Sequence, residues 1–108
     1  MQLSSKIQFC DEKTKKLFES LETENFGLYC NLLKAFSEIE KNAFCGIRIP
    51  KRLMPHDYVV NYNIHNLWKY NLPNAFRLLY SVESDGVLVL AIILEWFNHK
   101  NYERKFNY

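Results

Sequence analysis

The chain has 108 residues, of which 48% are hydrophobic and 24% charged, and its formal net charge is +2. This fits one globular domain, 1–108, with a single modest core, and excludes a disordered or low-complexity chain. The longest apolar run, Val87–Leu94, is far shorter than the roughly 18–20 residues of a membrane span. No membrane partner is therefore expected, and with no secretory signal at its start the default expectation is a cytoplasmic protein.

Lys6–Cys10 alternates briefly and reads as a short strand with Ile7 and Phe9 inward. Asp11 stands where its carboxylate can cap a helix, with Glu12 at the positive helix end, and Leu17, Phe18 and Leu21 follow at helical spacing. The spacing predicts a first helix over Asp11–Glu24. Asn25-Phe26-Gly27 is the break. Leu28, Leu32, Phe36, Ile39 and Ala43 then recur at three- and four-residue steps, predicting a second amphipathic helix over Gly27–Phe44.

Cys45–His65 has no clean period, and Pro50 and Pro55 exclude a long helix there. Asp57–Tyr62 suits either a helical turn or a short edge segment. From Asn66 the period becomes two. Asn66–Leu72 reads as a strand, Pro73-Asn74 as a turn, and Phe76–Glu83 as a second strand. Glu83-Ser84-Asp85-Gly86 is a hairpin signal, and Val87–Trp96 is the third strand.

The apolar pattern fixes the pairing of the first two of these strands. A plain two-residue turn at Pro73-Asn74 would set Arg77 beside Tyr70 on the aromatic face. One extra turn residue instead opposes Leu72 to Phe76, Tyr70 to Leu78 and Trp68 to Tyr80, leaving Lys69, Asn71 and Arg77 on the other face. The expected fold class is α+β: a short N-terminal strand, two helices and a three-strand antiparallel meander (βααβββ). The helices pack on one sheet face, and the other face is partly open and basic.

Charge is uneven along the chain. Residues 1–45 hold six Lys/Arg against seven Asp/Glu, whereas 46–82 hold five against one. Such a basic segment suits a phosphate-bearing partner as well as it suits a merely solvated face. Cys10, Cys30 and Cys45 cannot all pair within the chain and show no zinc-like spacing. They read as reduced thiols, and no cofactor or metal is expected. His56 and His65 have no visible partners.

The apolar third strand ends in a polar knot holding His99, Lys100, Tyr102, Glu103 and Arg104. With Lys69 and Arg77 on the neighbouring strands, it offers a group of the type that titrates near neutrality, several fixed cations and a phenol. This set suits phosphodiester cleavage by the substrate's own 2′-hydroxyl. A base takes the 2′-OH proton, an acid protonates the leaving 5′-oxygen, and cations hold the charge on phosphorus. Candidate catalytic residues are Arg77, His99 and Tyr102. Candidate RNA- or phosphate-binding residues are Lys69, Lys100, Arg104, Arg48, Lys51 and Arg52. The plainer alternatives are a surface Arg77, or one paired with Glu95, and a Tyr102–Phe106 pair that merely docks a terminal helical turn.

Asn66-Leu-Trp-Lys-Tyr-Asn-Leu-Pro73, Phe76-Arg-Leu-Leu-Tyr80, Ile92-Ile-Leu-Glu-Trp96 and His99-Lys-Asn-Tyr-Glu-Arg-Lys-Phe106, in this order of elements, resemble the RelE/ParE superfamily of type II toxins. The second segment looks like the family's R-L-x-Y strand, and the last like its basic ending with a tyrosine. The resemblance implies an mRNA interferase that in many members acts within the ribosomal A site, and a cognate antitoxin that covers basic residues. It matches Arg77 to the family's phosphate-binding strand arginine, Lys69 to the cation of the preceding strand, and His99, Lys100 and Tyr102 to its acid–base and base-stacking groups. The chain departs from the family where many members have Arg in place of His99-Lys100, in its longer ending, Asn98–Tyr108, and in its longer Arg48–His65 loop. A non-nucleolytic, gyrase-inhibiting ParE-like toxin and an RNA- or ribosome-binding module without catalysis remain open as alternatives.

Overall fold

A computed structural model describes residues 2–106; Asn107 and Tyr108, the last two residues of the predicted terminal segment, lie outside them. The fold is α+β. In chain order the elements are β1 (Lys6–Phe9), α1 (Glu12–Glu24), α2 (Phe26–Lys41), β2 (Ile47–Arg48), α3 (His56–Tyr62), β3 (Trp68–Asn71), β4 (Arg77–Ser84), β5 (Val89–Phe97) and α4 (His99–Phe106). Short 3₁₀ turns lie at Lys51–Leu53 and Pro73–Ala75. The expected meander is present as β3-β4-β5, but the sheet is larger than βααβββ allows. It has five strands in the order β1-β5-β4-β3-β2, with β1 parallel to β5 and the other pairs antiparallel.

Local signals explain the helix boundaries. The Asp11 carboxylate accepts the Thr14 backbone N–H at 2.7 Å, which caps α1; hydrogen bonds from the Thr14 backbone and side chain hold that carboxyl below its ordinary range. Asn25 ends α1 through its own N–H and opens α2 by accepting from the Leu28 N–H at 3.2 Å. A single residue joins the two helices.

The register follows the apolar pattern. Trp68 opposes Tyr80 and Tyr70 opposes Leu78. The Leu72 N–H donates to the Phe76 carbonyl at 2.9 Å, closing a three-residue loop in which Asn74 and Ala75 take φ values of 61° and 62°. Arg77 therefore faces away from α1 and α2. At the next hairpin, Gly86 sits at φ +90°, and the Asp85 carboxylate accepts the N–H groups of Val87 and Leu88.

The expectation of one face covered by the helices and the other partly open holds in part, because the second face carries a core of its own. α1 and α2 close one face over Phe18, Leu32, Phe36, Ile39, Leu78, Tyr80 and Ile93. The other face carries a second core of Ile49, Tyr58, Ile64, Leu67, Leu79, Leu94, Tyr102 and Phe106. The segment without a clean period and the C-terminal helix supply most of it. Tyr58 on α3 and Tyr102 and Phe106 on α4 are each an apolar anchor on a short amphipathic piece, and the docked aromatics hold those pieces down. What remains uncovered on that face is its rim.

Candidate functional site

Lys69 and Arg77 reach this rim from adjacent strands. Arg77 opposes Asn71, two residues beyond Lys69 on β3, so the two cations are diagonal neighbours on one face. Both converge on Tyr102. The Lys69 ammonium lies 5.5 Å and the Arg77 guanidinium 5.8 Å from its ring centroid. The ring itself is 4% exposed and stacks on Phe106 with centroids 4.7 Å apart. In this state Tyr102 is a floor under two cations, and its face is not available to stack on a base.

Among the described residues neither cation has a carboxylate partner. The ion pairs among the described residues are His65–Glu83, His99–Glu103, Lys105–Asp57 and Lys105–Glu95. Lys69 and Arg77 take part in none of them; among the described residues Arg77 donates to the Phe76 carbonyl, at 3.2 Å. Glu95, the alternative partner for Arg77, is engaged elsewhere. It accepts the Tyr58 hydroxyl at 2.6 Å and lies 3.8 Å from the Lys105 ammonium. Burial pushes the Tyr58 phenol far up, and its bond to this carboxylate adds to the effect, so it stays a proton donor to Glu95.

α4 begins beside this pair. Arg77 is the cross-strand partner of Phe97, and His99 opens the helix two residues later, behind Asn98, whose side chain accepts the Asn101 N–H at 2.8 Å. Helical spacing then sorts the side chains. Tyr102 and Phe106 face the core, while Lys100 and Arg104 are exposed on the opposite side. His99 pairs through Nε2 with the Glu103 carboxylate, both partly exposed. Glu103 belongs to the expected polar knot without an assigned role there, and its i,i+4 spacing from His99 is the signal for this pair.

The other expected cations lie apart. Arg48 opposes Trp68, which belongs to the α1/α2 side of the sheet, so it stands on the opposite face from Lys69. Lys51 and Arg52 are exposed in the 3₁₀ turn that follows. The structure thus brings together Lys69, Arg77 and Tyr102, with His99 and Glu103 at the start of the same helix, and leaves Arg48, Lys51 and Arg52 to a separate edge.

The remaining polar groups have local roles. Ser81, His65 and Asn66 all bond the Glu83 carboxylate. Burial works to raise its pKa, but the bonds from Ser81 and His65 outweigh this and hold the carboxyl low. The carboxylate sits between serine and histidine, so the histidine does not reach the hydroxyl and no nucleophile is activated there. Cys10 is half-buried, Cys30 and Cys45 are exposed, and all three are free thiols. Among the described residues no group of three or more His, Cys, Asp or Glu could hold a metal ion, and no helix is long and apolar enough to cross a membrane. Comparison of the chain with protein-family models, with curated proteins and with solved structures found no match in any of the three.

Proposed function

We propose that the chain is a RelE-like toxin of a type II toxin–antitoxin pair that binds and cleaves mRNA, with the phosphate held between Lys69 and Arg77. The observation that carries this reading is the convergence on one buried ring of two cations that have no carboxylate partner among the described residues. Two cations held on one face attract an anion, while their contacts with the ring roughly offset their mutual repulsion. A phosphodiester is such an anion, and a guanidinium grips its oxygens bidentately.

His99 supplies the proton chemistry. Its imidazole takes the 2′-hydroxyl proton, the 2′-oxygen attacks phosphorus, and the bond to the 5′-oxygen breaks. Water protonates the departing 5′-oxygen, leaving a 2′,3′-cyclic phosphate and a 5′-hydroxyl. Glu103 stabilises the imidazolium, which returns its proton to solvent. Tyr102 is a positioning residue for the two cations. The site binds its substrate at an open rim, so ribosomal RNA or protein could complete it, and an acidic antitoxin segment would compete for the same cations.

A second reading, an RNA-binding module without cleavage, is favoured by the burial of Tyr102, which removes one of the three catalytic candidates from the surface. Inducible expression with mapping of mRNA 5′ ends separates the two. Cleavage reading: new 5′ ends and growth arrest with the wild type, and neither with Arg77→Ala. If the wild type generates no new ends but retains RNA in a binding assay, the module reading replaces it. A change in DNA supercoiling with intact mRNA overturns both in favour of a gyrase-directed toxin.

A further inference from the structure

We infer that Arg48 is the outer plane of a stacking row that seats one unpaired nucleobase of single-stranded RNA. The inference rests on the reading that this chain binds RNA, and it adds a base subsite to the phosphate grip. Arg48, Trp68 and Tyr80 are directly opposed residues on β2, β3 and β4, so they form one row across three strands. The Trp68 and Tyr80 rings are near-parallel at 22°, with centroids 6.3 Å apart, and the Arg48 guanidinium lies 5.5 Å from the Trp68 centroid. Phe44, itself 39% exposed, stacks on Trp68 at 5.2 Å and braces the row.

The row ends open. Among the described residues β2 is the last strand of the sheet, and Arg48 on it is exposed. It joins none of the ion pairs among the described residues. Asp57, the only carboxylate between Gly46 and Val82, is tied to Lys105 at 2.5 Å. The Glu38 carboxylate on α2 acts on Cys45 and Tyr70 beside this edge, and Lys51 and Arg52, which follow the edge, tip the local balance of charge positive. A guanidinium held over an indole is planar, weakly hydrated and cationic, which suits stacking on a base. A phosphate contact alone would not need the aromatic row behind it. Because β2 is two residues long, a single strand can pass round this edge to the Lys69–Arg77 face.

The test is fluorescence anisotropy of a labelled single-stranded oligoribonucleotide whose positions are made abasic one at a time. With the wild type, one abasic position weakens binding by roughly 5- to 150-fold. Arg48→Lys keeps the charge and loses the plane. It should bind the intact oligonucleotide more weakly, lose the sensitivity at that position, and keep the salt slope. Trp68→Phe, which keeps the surface cation but replaces the indole beneath it, should blunt the same sensitivity. A flat abasic scan in the wild type, or an unchanged scan in Arg48→Lys, overturns the base subsite alone. If the wild type does not bind the intact oligonucleotide, or Lys69→Met and Arg77→Met bind it normally, the RNA reading falls too.

Discussion

Lys69→Met and Arg77→Met separate binding from folding at the paired cations. Each keeps an unbranched stem along Tyr102 and removes only the charge. Charges 5.5 and 5.8 Å from the same centroid are at most about 11 Å apart. They therefore repel by at least about 0.4 kcal/mol in bulk water and at least about 1.5 kcal/mol at an effective dielectric of about 20. Each cation–ring contact contributes about 0.5–1 kcal/mol in the other direction. The two effects nearly cancel, so each variant should unfold in urea within about 1 kcal/mol of wild type. Binding should behave differently. A charged hydrogen bond to phosphate contributes about 1.5–3 kcal/mol, so losing one weakens RNA roughly 10- to 150-fold. The salt slope on single-stranded RNA should fall by about 0.7 for each cation removed. Tryptophan fluorescence in urea and anisotropy across a salt series measure the two quantities on the same preparations. Variants that lose more than about 2 kcal/mol of stability and bind RNA as before would make Lys69 and Arg77 props for Tyr102, and would refute the phosphate grip.

His99→Gln should lower cleavage by about 100- to 10,000-fold, the span for a lost general base, while RNA affinity changes little; Glu103→Gln should lower it less, and intact cleavage in His99→Gln would remove the residue from the mechanism. At Gly46 an added Cβ would sit 2.6 Å from the Lys69 carbonyl oxygen and 2.7 Å from the Tyr80 hydroxyl. Gly46→Ala should therefore cost about 1–3 kcal/mol, as overpacking does, read as a lower urea midpoint; no shift would mean that the β2 edge yields freely. The Glu83 carboxyl is held low by Ser81 and His65, so its contribution is full above the unfolded pKa of about 4.3 and is lost as pH falls through the lower folded value. Wild type should lose more stability than Glu83→Gln on acidification through that window, and parallel profiles would show that the bonds to this carboxylate do not couple to folding.

Much of the fold was legible because its signals are local. The Asp11 cap, the Asn25 joint and the Asp85-Gly86 turn each satisfy backbone groups within three residues. The three-residue loop at Pro73–Ala75 followed from refusing to place Arg77 among aromatics, and that same register put Lys69 and Arg77 side by side. What was not legible depends on distant pairing. A four-residue β1 carries no mark of its parallel partner. Likewise α3 is seven residues long and has one buried anchor, Tyr58, too short a run for a period to emerge. The second core depends on the same segment, so the sequence offers the burial of Tyr102 only as an alternative. The face on which Arg48 stands is not legible either, because a two-residue strand has no alternation.

The bulge in β5 links these features. Tyr80 opposes Ile93 and Leu79 opposes Glu95, so Leu94 is the extra residue. With strict alternation, Ile93 on the α1/α2 side would be followed there by Glu95, placing a carboxylate in an apolar core. The inserted residue shifts the phase by one. Leu94 enters the second core, Glu95 stays on that side where Tyr58 and Lys105 meet it, and Trp96 turns to the first core edge-on to Phe18 at 6.5 Å. Phe97 then falls opposite Arg77, and α4 starts on the second face and lays Tyr102 beneath Lys69 and Arg77. Glu95 satisfied by Tyr58 and Lys105 is a Glu95 that does not neutralise Arg77. The irregularity that keeps a carboxylate out of one core is thus also what leaves the paired cations open to an anion from outside.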